Sequence, residues 1–178
     1  MFGGAVKSRD KRVAQEIIDC GDDWGISLGP DDAYTALRGL RSLKTRMDAH
    51  EAAGLRIANW LSERPEVSQV LHPALEQHPD HVIWKRDFTG SNGLFSVILN
   101  TVSPEGLKRF FDALELFSMG FSWGGFESLI IPCDPQLKRS KGHWIDQKVG
   151  PLLRIHVGLE TVDDLIADLR AGFEAMGE

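Results

Sequence analysis

The segment that constrains this chain most is Leu152-Leu153-Arg154-Ile155-His156-Val157-Gly158, followed by a run ending at Met176. Leu153, Ile155 and Val157 alternate with Leu152, Arg154 and His156, so a strand here turns three aliphatic side chains to one face and an arginine and a histidine to the other. Gly158 breaks the strand, and Thr161 with Asp164 three residues on has the form of a capping box. Val162, Leu165, Ile166, Leu169, Phe173 and Met176 then recur at helical spacing as one apolar stripe.

Arg154 is the informative residue, because a guanidinium is rarely placed in an apolar strand unless something anionic meets its planar fork. The residue pattern leaves two readings open. One is an internal ion pair with one of the chain's many carboxylates, the commoner fate of such a residue. The other is a carboxylate-binding arginine at the rim of a pocket.

The 178 residues suffice for one domain with its own core. A net charge of -6 and a pI near 5.5 argue against nucleic-acid binding, which needs a basic face. Cys20 and Cys133 lie far apart and resemble no metal pair, so free thiols in a reducing cytoplasm are expected. No apolar run reaches membrane-spanning length, and the first residues do not have the order of a signal peptide.

Met1 to Val6 is apolar and glycine-bearing. A helix is predicted from Lys11 to Asp19, stopping at Cys20-Gly21, with Trp24, Ile26 and Leu28 alternating through an extended connector. Gly29-Pro30-Asp31-Asp32 opens a long helix that must end before Pro65. Interior Gly39 and Gly54 suggest close packing or a bend. Arg38, Arg41, Lys44 and Arg46 could mark an anion site, although a solvated helix face is the commoner meaning of such a run.

Strands are predicted at Val67–Leu71, Leu94–Leu99, Leu129–Ile131 and Leu152–Val157. His72, His78 and His81 fall in a polar loop whose spacing matches no zinc-ligand pattern. Ser103-Pro104-Glu105 caps a helix carrying Leu107, Phe110, Phe111, Leu114 and Phe117. Phe121 to Ser128 is a glycine-rich loop with aromatics, either a tight turn or a place where backbone N–H groups approach an anion. Lys138, Arg139, Lys141 and His143 form a basic connector expected to be exposed. The fold expected is a two-layer α/β sandwich, a small four-stranded sheet covered on one face by helices and preceded by the long helix.

Four motifs carry a resemblance: Arg38-Gly39-Leu40-Arg41-Ser42-Leu43, Trp84-Lys85-Arg86-Asp87-Phe88-Thr89-Gly90, Phe121-Ser122-Trp123-Gly124-Gly125-Phe126-Glu127-Ser128-Leu129 and Leu153-Arg154-Ile155-His156-Val157-Gly158-Leu159-Glu160. In order and spacing they resemble the C-terminal part of the pyridoxal-phosphate-dependent Cys/Met metabolism family, in its cystathionine β-lyase branch. The γ-synthase and γ-lyase branches usually have leucine where Trp123 stands and serine where His156 stands. The match runs over essentially the whole chain.

The resemblance implies the C-terminal domain of a fold-type I pyridoxal-phosphate enzyme, with residues 1–30 belonging to a large domain and connector. It implies a carbon–sulfur lyase in the cytoplasm, a homotetramer when full length, that eliminates homocysteine from cystathionine and releases pyruvate and ammonia. In this likeness Arg154 grips the substrate α-carboxylate, and Ser122 and Trp123 belong to the loop that meets the same carboxylate. Phe121 stands where some relatives carry tyrosine. The family's Schiff-base lysine lies just before the segment that resembles Met1-Phe2-Gly3-Gly4. The expectation is therefore a chain without catalytic or cofactor-binding residues, inactive alone; neither Lys7 nor Lys85 matches that lysine. A non-catalytic carboxylate-binding or subunit-pairing domain, or a γ-branch enzyme, is the alternative.

Overall fold

The computed structural model describes residues 3–138 and 150–177. Arg139, Lys141 and His143 of the basic connector lie outside the described residues, as do Met1 and Phe2. Backbone contacts divide the chain into two units, Met1–Thr45 and Arg46–Glu178.

The first unit is helical. Asp10 accepts the N–H groups of Arg12 and Val13 and so starts α1, Lys11–Asp23. This helix runs through Cys20-Gly21, where the sequence predicts its end, and finishes at Trp24, with Gly25 next at φ +63°. A lone glycine lowers helix propensity without forbidding another turn. Pro30 opens α2, Pro30–Arg41. The predicted long helix is interrupted at Ser42, a C-cap, and resumes as α3, Leu43–Ser62. None of the described residues of this unit is buried, and Val6, Trp24, Ile26, Tyr34 and Leu40 are all exposed.

The second unit holds the sheet. Its strands are β1 (Val67–Leu71), β2 (Leu94–Leu99), β3 (Ser118–Met119), β4 (Leu129–Pro132) and β5 (Leu152–His156). The sheet has five strands in the order β1-β2-β5-β4-β3, one more than the sequence pattern predicts. The additional strand is the two-residue β3, too short to show a period of two. All neighbours are antiparallel except β3 with β4.

Helices α4 (His81–Asp87) and α5 (Pro104–Asp112) run between strands, and α6 (Val162–Gly177) follows β5. Ser103 accepts the Gly106 N–H and caps α5 as expected. The helix α4 begins at His81, which the sequence pattern places in a loop. Phe95, Val97, Leu99, Ile130, Leu153, Ile155 and Val157 form the buried sheet face, packed with Ile57 and Leu61 of α3, Phe110 of α5, and Leu165, Leu169 and Phe173 of α6. This matches the aliphatic alternation of β5 and the stripe predicted for α6. Gly54 of α3 meets the 92–93 turn closely enough that a β-carbon there would lie 2.8 Å from the Asn92 carbonyl oxygen, the close packing its position suggests.

Candidate functional site

Arg154 and His156 project from β5 on the side away from that core. Arg154 is flanked by Ser96 on β2 and Ile131 on β4, and His156 by Leu94 and Leu129. Above them lies the glycine-rich loop joining β3 to β4, in which every residue from Phe121 to Glu127 is exposed. Apolar burial therefore does not anchor this loop. Polar contacts do.

The contacts follow the chain in register. Arg154 Nη2 donates to the carbonyls of Gly120 (3.2 Å), Phe121 (2.9 Å) and Ser122 (3.2 Å). His156 Nε2 lies 3.1 Å from the Gly125 carbonyl oxygen, and the Gly124 N–H rests on the edge of the same ring. Leu159 N–H donates to Phe126 O, 2.9 Å. Glu160 accepts both the N–H and the hydroxyl of Ser128, each at 2.8 Å, and the Ser128 oxygen accepts the Gly158 N–H. Gly158 is required at this junction, since a β-carbon would stand 2.2 Å from the Phe126 carbonyl oxygen. Gly124 turns the loop at φ +80°, a conformation that side chains disfavour.

Among the described residues Arg154 makes no ion pair, and its side-chain hydrogen bonds all leave from Nη2. One amino group is spent on three neutral carbonyls. Among the described residues Nε and Nη1 keep N–H groups to offer, but both bidentate edges of the guanidinium include Nη2, so a planar carboxylate would have to share or displace the loop carbonyls. Nearby, burial pushes the Cys133 thiol above its ordinary range, with the charge of Arg154 working in the opposite direction.

Ser122 meets Arg154 through its main-chain carbonyl, and Trp123, next along the loop, is 61% exposed. His50 of α3 carries no signal in the sequence. It is buried, its Nδ1 lies 2.8 Å from the Val157 carbonyl oxygen, and its ring is 5.4 Å from that of His156. Burial holds His156 below the ordinary histidine pKa, with His50 and Arg154 acting in the same sense, so the ring is neutral at neutral pH. The pairing of Glu160 with Ser128 is likewise invisible in the sequence, where no spacing rule relates them.

The other candidates resolve locally. His72 and His78 accept the backbone N–H groups of Ala74 and Asp80, while His81 contacts the Pro73 carbonyl. No cluster of potential metal ligands occurs among the described residues. Arg38, Arg41 and Lys44 are exposed, and Arg38 lies 6.0 Å from the Tyr34 ring. Both cysteines are free, and no helix among the described residues is long and apolar enough to cross a membrane.

An arginine and an exposed loop thus share one face of the sheet, opposite the helix-covered core. The chain belongs to the Cys/Met metabolism PLP-dependent enzyme family, whose profile matches residues 1–174. It is 50% identical over 151 residues to the cystathionine beta-lyase of Salmonella typhimurium, covering 84% of this chain and 38% of that protein. It is 40% identical over 150 residues to an L-alanine/L-glutamate racemase of Wolbachia pipientis, covering 84% of this chain and 37% of the relative. Among solved structures, cystathionine gamma synthase from Xanthomonas oryzae, in complex with cystathionine, superposes with a TM-score of 0.84 at 31% identity, over 96% of this chain and 44% of that one. The chain thus spans well under half the length of these relatives.

Pyridoxal phosphate needs a lysine held out of water for its aldehyde and a cradle of donors for its phosphate. Lys7, Lys11, Lys44, Lys85, Lys108 and Lys138 are all exposed. Among the described residues, then, no lysine is held out of water for the aldehyde.

Proposed function

We propose that this chain is the substrate-carboxylate wall of a cytoplasmic, homotetrameric carbon–sulfur lyase that cleaves cystathionine to homocysteine, pyruvate and ammonia. Residues 1–30 belong, on this reading, to the connector from a cofactor-bearing large domain. Arg154 takes the α-carboxylate of the substrate, and Ser122 and Trp123 close over it. The observation that carries the reading is the half-used guanidinium of Arg154, charged, unpaired with any carboxylate among the described residues, and held against an exposed loop. The cystathionine beta-lyase relatives support the substrate, and the free cysteines support a reducing compartment.

Titrating the chain with L-cystathionine in a calorimeter tests this. Binding heat in the native chain and its loss in Arg154→Ala are expected. Equal heats in both proteins overturn the assignment of Arg154.

The racemase relative favours a second reading, in which the same carboxylate grip serves inversion at an α-carbon. Pyruvate release from L-cystathionine by the holoenzyme containing this chain supports the lyase; D-alanine formed from L-alanine without pyruvate supports the racemase.

A further inference from the structure

We propose that His156 is a positioning residue, which holds the 120–128 loop from beneath so that Arg154 can turn its fork to a carboxylate without releasing the loop. The inference rests on the carboxylate-binding reading of Arg154 given above.

Among the described residues, two side chains hold the forward half of the loop. Arg154 meets residues 120 to 122, and His156 meets residues 124 and 125. Arg154 cannot serve both partners equally. A carboxylate bound in bidentate fashion takes two N–H groups on one edge of the guanidinium, and either edge that includes Nη2 competes with the three carbonyls. While Arg154 is so engaged, His156 is the side-chain tether left ahead of Phe126 among the described residues. Without it the loop's hold falls to Arg154 alone, and the arginine is drawn into the loop at the ligand's expense.

The ring is built for that task. It is 2% exposed; a carbonyl only accepts, so the contact of Nε2 with the Gly125 oxygen at 3.1 Å puts the proton on Nε2 and leaves Nδ1 to accept the Gly124 N–H at 3.4 Å. On the far side His50 packs against it, itself fixed by the Val157 carbonyl. The titratable and charged groups around the ring are His50 from α3, and Arg154 and Glu160 from its own segment. A neutral imidazole there tethers the loop without adding a second cation to compete with Arg154 for the ligand.

The test compares the native chain with His156→Ala, His156→Gln and Arg154→Ala by hydrogen exchange of peptides spanning 120–128 and by calorimetric titration with L-cystathionine. His156→Ala is expected to speed exchange in that loop about tenfold, with β2 and β5 unchanged, and to weaken binding about tenfold. His156→Gln, whose amide can still donate to Gly125, is expected to restore both. If His156→Ala loses its fold, His156→Asn, with an amide too short to reach Gly125, carries the same expectation. Unchanged loop exchange, unchanged affinity, or identical behaviour of the alanine and glutamine variants overturns the proposal. Binding lost in Arg154→Ala but untouched in the His156 variants refutes His156 alone. Binding absent from the native chain, or unchanged in Arg154→Ala, refutes the carboxylate site and this inference with it.

Discussion

Ser128 and Glu160 are joined twice, amide to one carboxylate oxygen and hydroxyl to the other, and the same hydroxyl oxygen receives the Gly158 N–H. The knot fastens the trailing end of the exposed loop to the segment that leaves β5. Hydrogen bonds to a charged acceptor contribute more than neutral ones, so Glu160→Ala is expected to cost about 2 kcal/mol of stability. Urea unfolding of the variant measures the loss, and a midpoint equal to that of the native chain refutes this account of the knot.

Asp168 of α6 is a second clamp. It is buried and accepts the N–H groups of Glu115, Leu116 and Phe117, at 2.7, 3.0 and 2.9 Å. Alanine there leaves three amides without an acceptor just ahead of β3, and a loss of about 3 kcal/mol is expected. An asparagine side chain keeps one acceptor oxygen, so Asp168→Asn should fall between alanine and the native chain in the same urea experiment.

At Gly54 two effects oppose each other. Alanine gains about 1 kcal/mol of helix propensity at an open position. Here the added carbon would meet the Asn92 carbonyl oxygen at 2.8 Å and the Gly93 backbone at 3.1 Å, both main chain. Overpacking of this kind costs about 1–3 kcal/mol. Gly54→Ala should therefore lower the thermal midpoint, whereas a rise would show that the 92–93 turn moves freely.

Acid should weaken the fold through two imidazoles. Burial, the leading cause at both, holds His72 and His156 below 6.5 in the folded chain. Their stabilising contribution is complete above that value. As the pH falls through 6.5 the unfolded chain takes up protons first, so stability declines until the folded imidazoles also protonate. Urea midpoints across this range should slope less steeply in a His72→Gln, His156→Gln double variant. An unchanged slope assigns the acid sensitivity to other groups.

The sequence is most legible where side-chain period and packing agree. The alternation of β5 and the stripe of α6 are both directly visible, and both meet in one core. The strand β3 is not legible, because two residues have no period and their place is set by Asp168 and the β4 backbone. The helix α4 begins His81-Val82-Ile83-Trp84, a composition that favours strands, and with no buried residue it shows no stripe. At the site, Arg154 stands out by its charge among aliphatic residues. Its actual partners do not, because they are main-chain carbonyls, which every residue possesses.

The position of β5 has a consequence for synthesis on the ribosome. It lies between β2 and β4, so the pairs β1-β2 and β3-β4 share no sheet hydrogen bonds until it arrives. A nascent chain arrested ahead of Leu152 would carry two separate ribbons with unpaired inner edges, the surfaces on which chaperones and misassembly compete.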